Sequence, residues 1–237
     1  MYTFLWPFSY IINYFFPENK NPCDYSELIY FDFETTGLNP YHDKIIEYAF
    51  IQEENETYVP NDPESYINNT YITNLVNPKQ KFEKKISEIT GIHPDELEDK
   101  ETIEKQLPNI MKFINYDMNT KSIYLVAHNC DGFDKLFLTN TIKQYNQHIQ
   151  HEHLKYKHIY YIDTLNLCKK LLPDIKSYSL KNMTKHFKIN PGTHRAMSDT
   201  IALRELYHYL IQILSIELGY DCQYVLNTPS IIYDYIY

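Results

Sequence analysis

The chain is poor in glycine, with five in 237 residues, which excludes collagen-like and glycine-rich classes; a 16% aromatic share excludes a disordered one. Its four cysteines, Cys23, Cys130, Cys168 and Cys222, form no Cys-x-x-Cys pair. Neither a zinc site nor a disulfide framework is therefore indicated, and an intracellular, reducing compartment, cytoplasmic or nuclear, is expected. There is no excess of basic charge either. With 22 Lys and Arg against 31 Asp and Glu, the net charge is −9. That excludes a coat held on nucleic acid by bulk charge, but not local grip on a strand. The apolar and aromatic stretch MYTFLWPFSYIINYFF falls short of the ~20 residues that span a bilayer, and it lacks a basic n-region and a small-residue cleavage site. Residues 1–24 are expected to form an arm packed on the domain, with membrane contact by an interfacial anchor as the rival reading.

What is present is regular patterning after Pro22. In LIYFDFET, residues Leu28, Tyr30, Asp32 and Glu34 fall at alternate positions of a strand. IIEYAFIQ and YITNLVNP read as two further strands of an antiparallel meander, separated by a polar insert over about 53–69. From 82 to 118 the pattern is helical, with Ile103, Leu107, Ile110, Met111 and Ile114 at helical spacing and LEDKET as an acidic helix start. SIYLVAHN is a buried strand followed by a helix from near Asp134. HIYYIDTL is another strand, and two short helices lead to a long one, SDTIALRELYHYLIQILSIEL. Strands followed by strand–helix alternation predict an α/β domain over 25–218, with 219–237 as an extension. The insert and the residues after Gly219 are the two stretches expected to be disordered.

Asp32 and Glu34 project from the same face of their strand. Two acids side by side on an apolar strand are costly unless a cation lies between them. Asp134 and Asp199 are delivered at two other strand and helix junctions. Four oxygen-ligand residues suit a hard divalent cation, Mg²⁺ or Mn²⁺, rather than zinc. Two such ions can clamp the attacking and leaving oxygens of a phosphodiester. His194, on the Gly-bearing approach NPGTH, supplies a base near neutral pH.

The segments DFETTGL, AHNCDGFD and HRAMSD resemble, in this order, the three motifs of the DEDDh, or DnaQ-like, 3′–5′ exonucleases. LVNP, ITGIHPDEL, IDTLNLCKKLLP and SYSLKNMTKHFKI resemble the family's connecting text. The resemblance implies an RNase H-like fold, a central mixed five-stranded sheet flanked by helices, and release of nucleoside 5′-monophosphates from a 3′ end. Carried over, Asp32, Glu34, Asp134 and Asp199 would hold two Mg²⁺ ions, with Mn²⁺ able to substitute, and His194 would be the general base. Thr35, Thr36, Gly37 and Leu38 would receive the terminal nucleotide, with Leu38 against its base; His128 and Asn129 would approach sugar and phosphate. ETTGL resembles proofreading exonucleases of bacterial replicative polymerases, whereas LVAHNCDGFD and SYSL are similar to three-prime repair exonucleases. Single-stranded DNA is the expected substrate and RNA the alternative; with no polymerase domain in the sequence, a polymerase or replication partner would act in trans.

Between Leu165 and Arg195, seven basic residues face one acid, Asp174, an excess of +6 beside the third motif, which suggests a role in tracking nucleic acid. His148, His151, His153 and His158 read as a surface linker rather than a metal site. Cys130 is expected to be inert, Asp163 structural, and Asp131 an unassigned neighbour of the site. The rival from another class is a silent binding module on a nuclease fold, but such a degenerate copy should have lost one of the five acids and histidine, and all five stand. Deleting residues 1–16 should leave the distribution between membrane and soluble fractions unchanged; a shift out of the membrane fraction would instead identify an anchor.

Overall fold

The computed structural model describes residues 26–53, 70–114, 122–148 and 158–237. Their centre is a five-stranded sheet of β1 (Ser26–Thr35), β2 (Ile45–Gln52), β3 (Tyr71–Leu75), β4 (Ser122–Ala127) and β5 (His158–Asp163), in the order β3-β2-β1-β4-β5. The meander β1–β2–β3 is antiparallel, as the sequence suggests, while β4 and β5 run parallel to β1, so the sheet is mixed.

The two-residue period of β1 sorts its side chains between two cores. Leu28 and Tyr30 join Tyr124, Val126 and Ile162 beneath the long helix α7 (Ala196–Leu218), against Leu203, Leu206, Tyr207 and Leu210. Ile29, Phe31 and Phe33 point the other way, with Phe50, Ile123 and Leu125, toward α3 (Ile103–Ile114) and α4 (Asp134–His148). Phe31 and Phe50 are cross-strand partners whose rings stack at 5.4 Å. Each such side chain contributes about 1.5–3 kcal/mol on burial. The apolar stripe of α3 read from the sequence, Ile103, Leu107, Ile110, Met111 and Ile114, is buried throughout.

Three expectations need correction. The helical stretch over 82–118 breaks into α1 (Lys84–Thr90), α2 (Pro94–Leu97) and α3. Gly91 ends α1 in the left-handed region at φ 70°, and Pro94, with its φ preset for a helix start, opens α2. Residues 115–118 lie outside the described residues, as do 54–69 of the polar insert, the arm (1–24) with residue 25, and His151 and His153; the side chains of His148 and His158 are likewise outside them.

The stretch after Gly219 is ordered. It forms α8 (Cys222–Leu226) and α9 (Pro229–Ile236), which place Val225, Leu226, Ile232 and Ile236 in the α7-side core. Tyr233 packs on the stacked pair Tyr124–Tyr160. The apolar residues of a segment this short show no clear period, so the pattern alone reads as a tail.

Glu53, expected in the polar insert, is buried instead. Its carboxylate accepts from Tyr30 Oη at 2.6 Å, from Arg204 Nη2 at 2.9 Å and from His208 Nε2 at 2.9 Å. Burial pushes this carboxyl up, but the His208 and Arg204 hydrogen bonds and charges overcome it and hold the pKa at about 2. Among the described residues no helix is long and apolar enough to cross a membrane. Two further helices, α5 (Thr164–Leu171) and α6 (Leu180–Phe187), lie between β5 and α7.

Because the folded pKa of Glu53 lies below the unfolded value, its stabilisation is present above about pH 4.5 and is lost as pH falls toward 2. Glu53→Ala leaves Arg204 buried without this partner and should cost about 3–5 kcal/mol in urea unfolding at pH 7. A loss below 1 kcal/mol would show that the network contributes little.

Candidate active site

The parallel ladder between β1 and β4 ends at Tyr30 opposite Val126, so β1 outruns its neighbour. Asp32 and Glu34 lie on that overhang, on the face that carries Leu28 and Tyr30 toward α7. The crevice beyond the carboxyl ends of parallel strands is where α/β sheets present ligand sites. A register irregularity between Glu34 and Thr35 then bends the strand into its turn.

Past the end of the ladder, the Phe33 N–H is bonded by the second motif: Asp134 Oδ1 accepts it at 3.2 Å. Asp134, 2% exposed, is the first residue of α4. The loop that delivers it is shaped by Asp163, whose carboxylate accepts the backbone N–H groups of Asn129, Asp131 and Leu165 at 2.9, 3.1 and 2.9 Å. Asn129 turns the loop in the left-handed region at φ 63°. Asp131 in turn holds Lys135 at 2.9 Å and Tyr237 Oη at 2.6 Å. Burial pushes the Cys130 thiol well up, as an inert core cysteine requires.

The third motif is a loop folded against the first turn of α7. The His194 N–H donates to Asp199 Oδ1 at 3.2 Å, and Thr193 Oγ1 lies 2.8 Å from Ser198 Oγ. His194 itself adopts φ 56°. The backbone passes so close to Asp199 that a Cβ on Gly192 would stand 1.8 Å from Asp199 Oδ1, so only glycine fits there. What fixes this loop to the sheet is a pair the sequence reading missed. Arg195 grips Glu47 of β2 with Nε at 3.0 Å and Nη2 at 2.7 Å, and the Ala196 N–H adds a bond at 2.8 Å to the same carboxylate. Glu47 is the cross-strand partner of Glu34. The signal was available: an acid in the middle of the apolar strand IIEYAFIQ is as anomalous as Asp32 in β1.

These elements bring Glu34, His194 and Asp199 together, with one ligand atom of each lying within 4.8 Å of the others. Asp32 and Asp134 stand outside that trio but within electrostatic reach. Burial, then Asp134, Glu34 and Asp199, push the Asp32 carboxyl well above the usual range. Burial and the charges of Asp199 and Glu47 raise Glu34 to about 8, against the opposing pull of Arg195. Asp134 and Asp199 are also raised, chiefly by burial. Carboxylates whose protons are held up by burial and by one another's charge are a donor set suited to a cation. With four oxygen donors and one imidazole, the set fits a hard divalent ion.

The turn after β1 divides the remaining expected residues by what is left available. Thr35 Oγ1 donates to Gly37 O at 2.6 Å, and Thr36 Oγ1 accepts from Lys44 N and Gln80 Nε2, each at 2.9 Å. Both threonines are buried and shape the turn. A Cβ on Gly37 would meet Asp43 Oδ2 at 2.4 Å. Leu38, 83% exposed, is presented to solvent by this rigid frame. His128 is engaged internally: Nε2 donates to Tyr178 O at 2.6 Å and Nδ1 lies 2.9 Å from Thr164 Oγ1, which donates to Ala127 O at 3.2 Å; burial lowers the pKa of the ring. Its reach to sugar or phosphate is spent on holding the segment at Tyr178. Asn129 is exposed at the mouth of the loop.

A family model described as Exonuclease (RNase_T) matches residues 29–207. A DNA polymerase III PolC-type protein of Caldanaerobacter subterraneus subsp. tengcongensis is 30% identical over 194 residues, 81% of this chain and 12% of that protein. Its counterpart in Thermotoga maritima is 33% identical over 184 residues, 77% of this chain and again 12% of the relative. The chain thus spans a small fraction of the curated relatives it matches. Among solved structures, exonuclease X in complex with 5′ overhanging duplex DNA aligns with a TM-score of 0.54 at 23% identity, covering 78% of this chain and 91% of that one. Exonuclease I aligns at 0.62 and 20%, covering 79% and 41%. These likenesses show the RNase H-like exonuclease fold.

Because Glu34 keeps its proton up to about pH 8 in the folded chain but only to about 4.5 unfolded, the metal-free fold loses stability as pH rises between those values. Glu34→Gln should flatten that decline and raise the melting temperature in EDTA at pH 8 by at least about 2–4 °C, the shift of 1 kcal/mol in a chain of this size. Added Mg²⁺ or Mn²⁺ should do the same for the unaltered protein. A pH-independent melting temperature in EDTA would show that the acids do not repel as described.

Proposed function

The chain belongs to the exonuclease family of that model, and on this premise we propose that it removes nucleotides one at a time from the 3′ end of single-stranded DNA, releasing nucleoside 5′-monophosphates. The observation that carries the proposal is the convergence of Glu34, His194 and Asp199 within 4.8 Å beside the buried carboxylates Asp32 and Asp134. The family depends on divalent metal. In this reading Asp32, Glu34, Asp134 and Asp199 hold two Mg²⁺ ions, for which Mn²⁺ substitutes; the ions supply charge neutralisation at the scissile phosphate and its attacking and leaving oxygens.

The protein's own groups do the remainder. His194 takes the proton of the attacking water as general base. The Glu47–Arg195 clamp and the bonds to Ser198 and Asp199 set where its loop stands, so the base arrives at the carboxylates without being part of the sheet. Leu38 packs against the terminal base, on a turn fixed by Thr35, Thr36 and Gly37. Asn129 meets the sugar–phosphate from the opposite side, and His128 supports it by positioning the Tyr178 segment. DNA is preferred over RNA in this reading because the similar relatives are named as DNA polymerases. Those relatives hold the matching segment within far longer chains named as polymerases, which supports a polymerase as partner.

On 5′-labelled oligonucleotides with Mg²⁺ or Mn²⁺, the protein should yield a ladder shortened from the 3′ end, faster on DNA than on matched RNA. Asp32→Ala or Asp199→Ala should abolish turnover. His194→Ala should retain strand binding while the chemical step drops by about 10²–10⁴-fold. Absence of nucleotide release from both DNA and RNA ends would overturn the reading, and faster cleavage of RNA would reassign the substrate.

A further inference from the structure

The basic segment noted in the sequence is not uniform in the structure. Arg195 is committed to Glu47, and Lys170 donates to Tyr235 O at 2.7 Å while lying over the Tyr235 ring. That leaves an exposed group centred on α6. Lys181 and Lys185 stand at i, i+4 on one face of α6, Lys188 caps its C-terminus in the left-handed region at φ 58°, and all three are exposed. The α6 sequence LKNMTKHF contains no acid, and among the described residues no carboxylate is ion-paired with these three lysines or with Lys176.

Beside that face lies a notch of about 390 Å³. Ile175 and Met183 form its apolar lining, and Lys176, Lys185, Ser177 and Asn182 supply its polar side, with Asn182 Nδ2 bonded to Ser177 Oγ at 2.6 Å. A lining that is part apolar and part cationic suits a sugar with its phosphate better than either alone. The helix is also tied to the catalytic loops at both ends. Before its start, Tyr178 O is held by His128 of the second motif; after its end, Ile189 bonds back to Thr184 and the chain runs within six residues from Lys188 to His194. A cationic surface in a chain of net charge −9 is thereby carried on a helix joined at both ends to segments of the second and third motifs.

We infer that the exposed face of α6, with its adjoining notch, is a backbone subsite that holds the phosphates of the strand upstream of the nucleotide being removed. This rests on the exonuclease reading and adds to it a place where strand length is sensed. From Lys181 to Lys185 the rise along α6 is about 6 Å, the length of roughly two nucleotides of a stacked strand. Recognition is by phosphate charge, so it carries no sequence preference.

The test compares the full-length protein with the triple variant Lys181→Gln, Lys185→Gln, Lys188→Gln, both shown to melt at the same temperature. Substrates are the p-nitrophenyl ester of thymidine 5′-monophosphate, which lacks upstream phosphates, and single strands of two, four, eight and twelve nucleotides, assayed from 50 to 300 mM salt. The variant should match the parent on the ester and on the dinucleotide, yet lose at least tenfold in kcat/KM on eight or more nucleotides through KM. Its salt dependence, the slope of log KM against log[salt], should fall by about 2, as loss of three single-strand phosphate contacts requires. Equal KM and equal salt slope at every length would overturn the subsite while leaving the exonuclease standing. An equal loss on ester and long strands would overturn it too, since the lysines would then be acting on the carboxylate centre. A parent protein inactive on ester and strands alike would instead sink the exonuclease reading beneath it; anisotropy of a labelled 12-mer would still judge the subsite, which fails if the variant binds as tightly as the parent.

Discussion

Like charges confined to one face of a strand repel more strongly the less water surrounds them, and this molecule is organised around that repulsion. At an effective dielectric near 20, two unit charges 4.8 Å apart cost about 3–4 kcal/mol, a sizeable part of the net stability of any domain. Here Asp32 and Glu34 extend the apolar side of β1, Asp134 and Asp199 are brought to them, and Glu47 faces Glu34 from the next strand. The fifth acid is neutralised internally by Arg195. Among the described residues no ion pair engages the other four; burial first, and one another's charge second, hold their protons, and a divalent ion is the natural complement.

Two aspartates at neighbouring strand ends show how environment separates structural from chemical roles. Asp163 receives three backbone N–H groups and spends its charge on shaping a loop. Asp134 receives the Phe33 N–H from β1 and otherwise faces other acids. The same residue type therefore stiffens the scaffold in one place and stores electrostatic tension in the other. The loop carrying His194 continues this division: its shape comes from Gly192, Ser198 and Asp199, while its anchorage comes from Glu47.

The sheet, the meander and the acidic positions were legible in the sequence because each rests on a local period or a short spacing. Alternation in LIYFDFET put Asp32 and Glu34 on one face, and the structure keeps them there. The partition of one helical stretch into three was legible as well, at Gly91 and Pro94, but apolar spacing across the breaks masked it. Pairings over long separations were not. Glu47 meets Arg195 across 148 positions and Glu53 meets His208 across 155, and neither partner names the other in any window of sequence. His128 illustrates a different limit: its type suggests contact with a ligand, and only the fold reveals that both of its nitrogens are occupied.

The ordered helices after Gly219 bear on what counts as the domain. The family model stops at residue 207, inside α7, yet the hydrophobic interior continues to Ile236. Tyr233 covers Tyr124 of β4 and Tyr160 of the edge strand β5, and Tyr237 reaches Asp131 beside the second motif. A protein trimmed to the family boundary would retain all three motifs and lose the cover of β4 and β5. The recombinant unit of this protein is thus set by burial rather than by motif content, and it must run to the far side of α9.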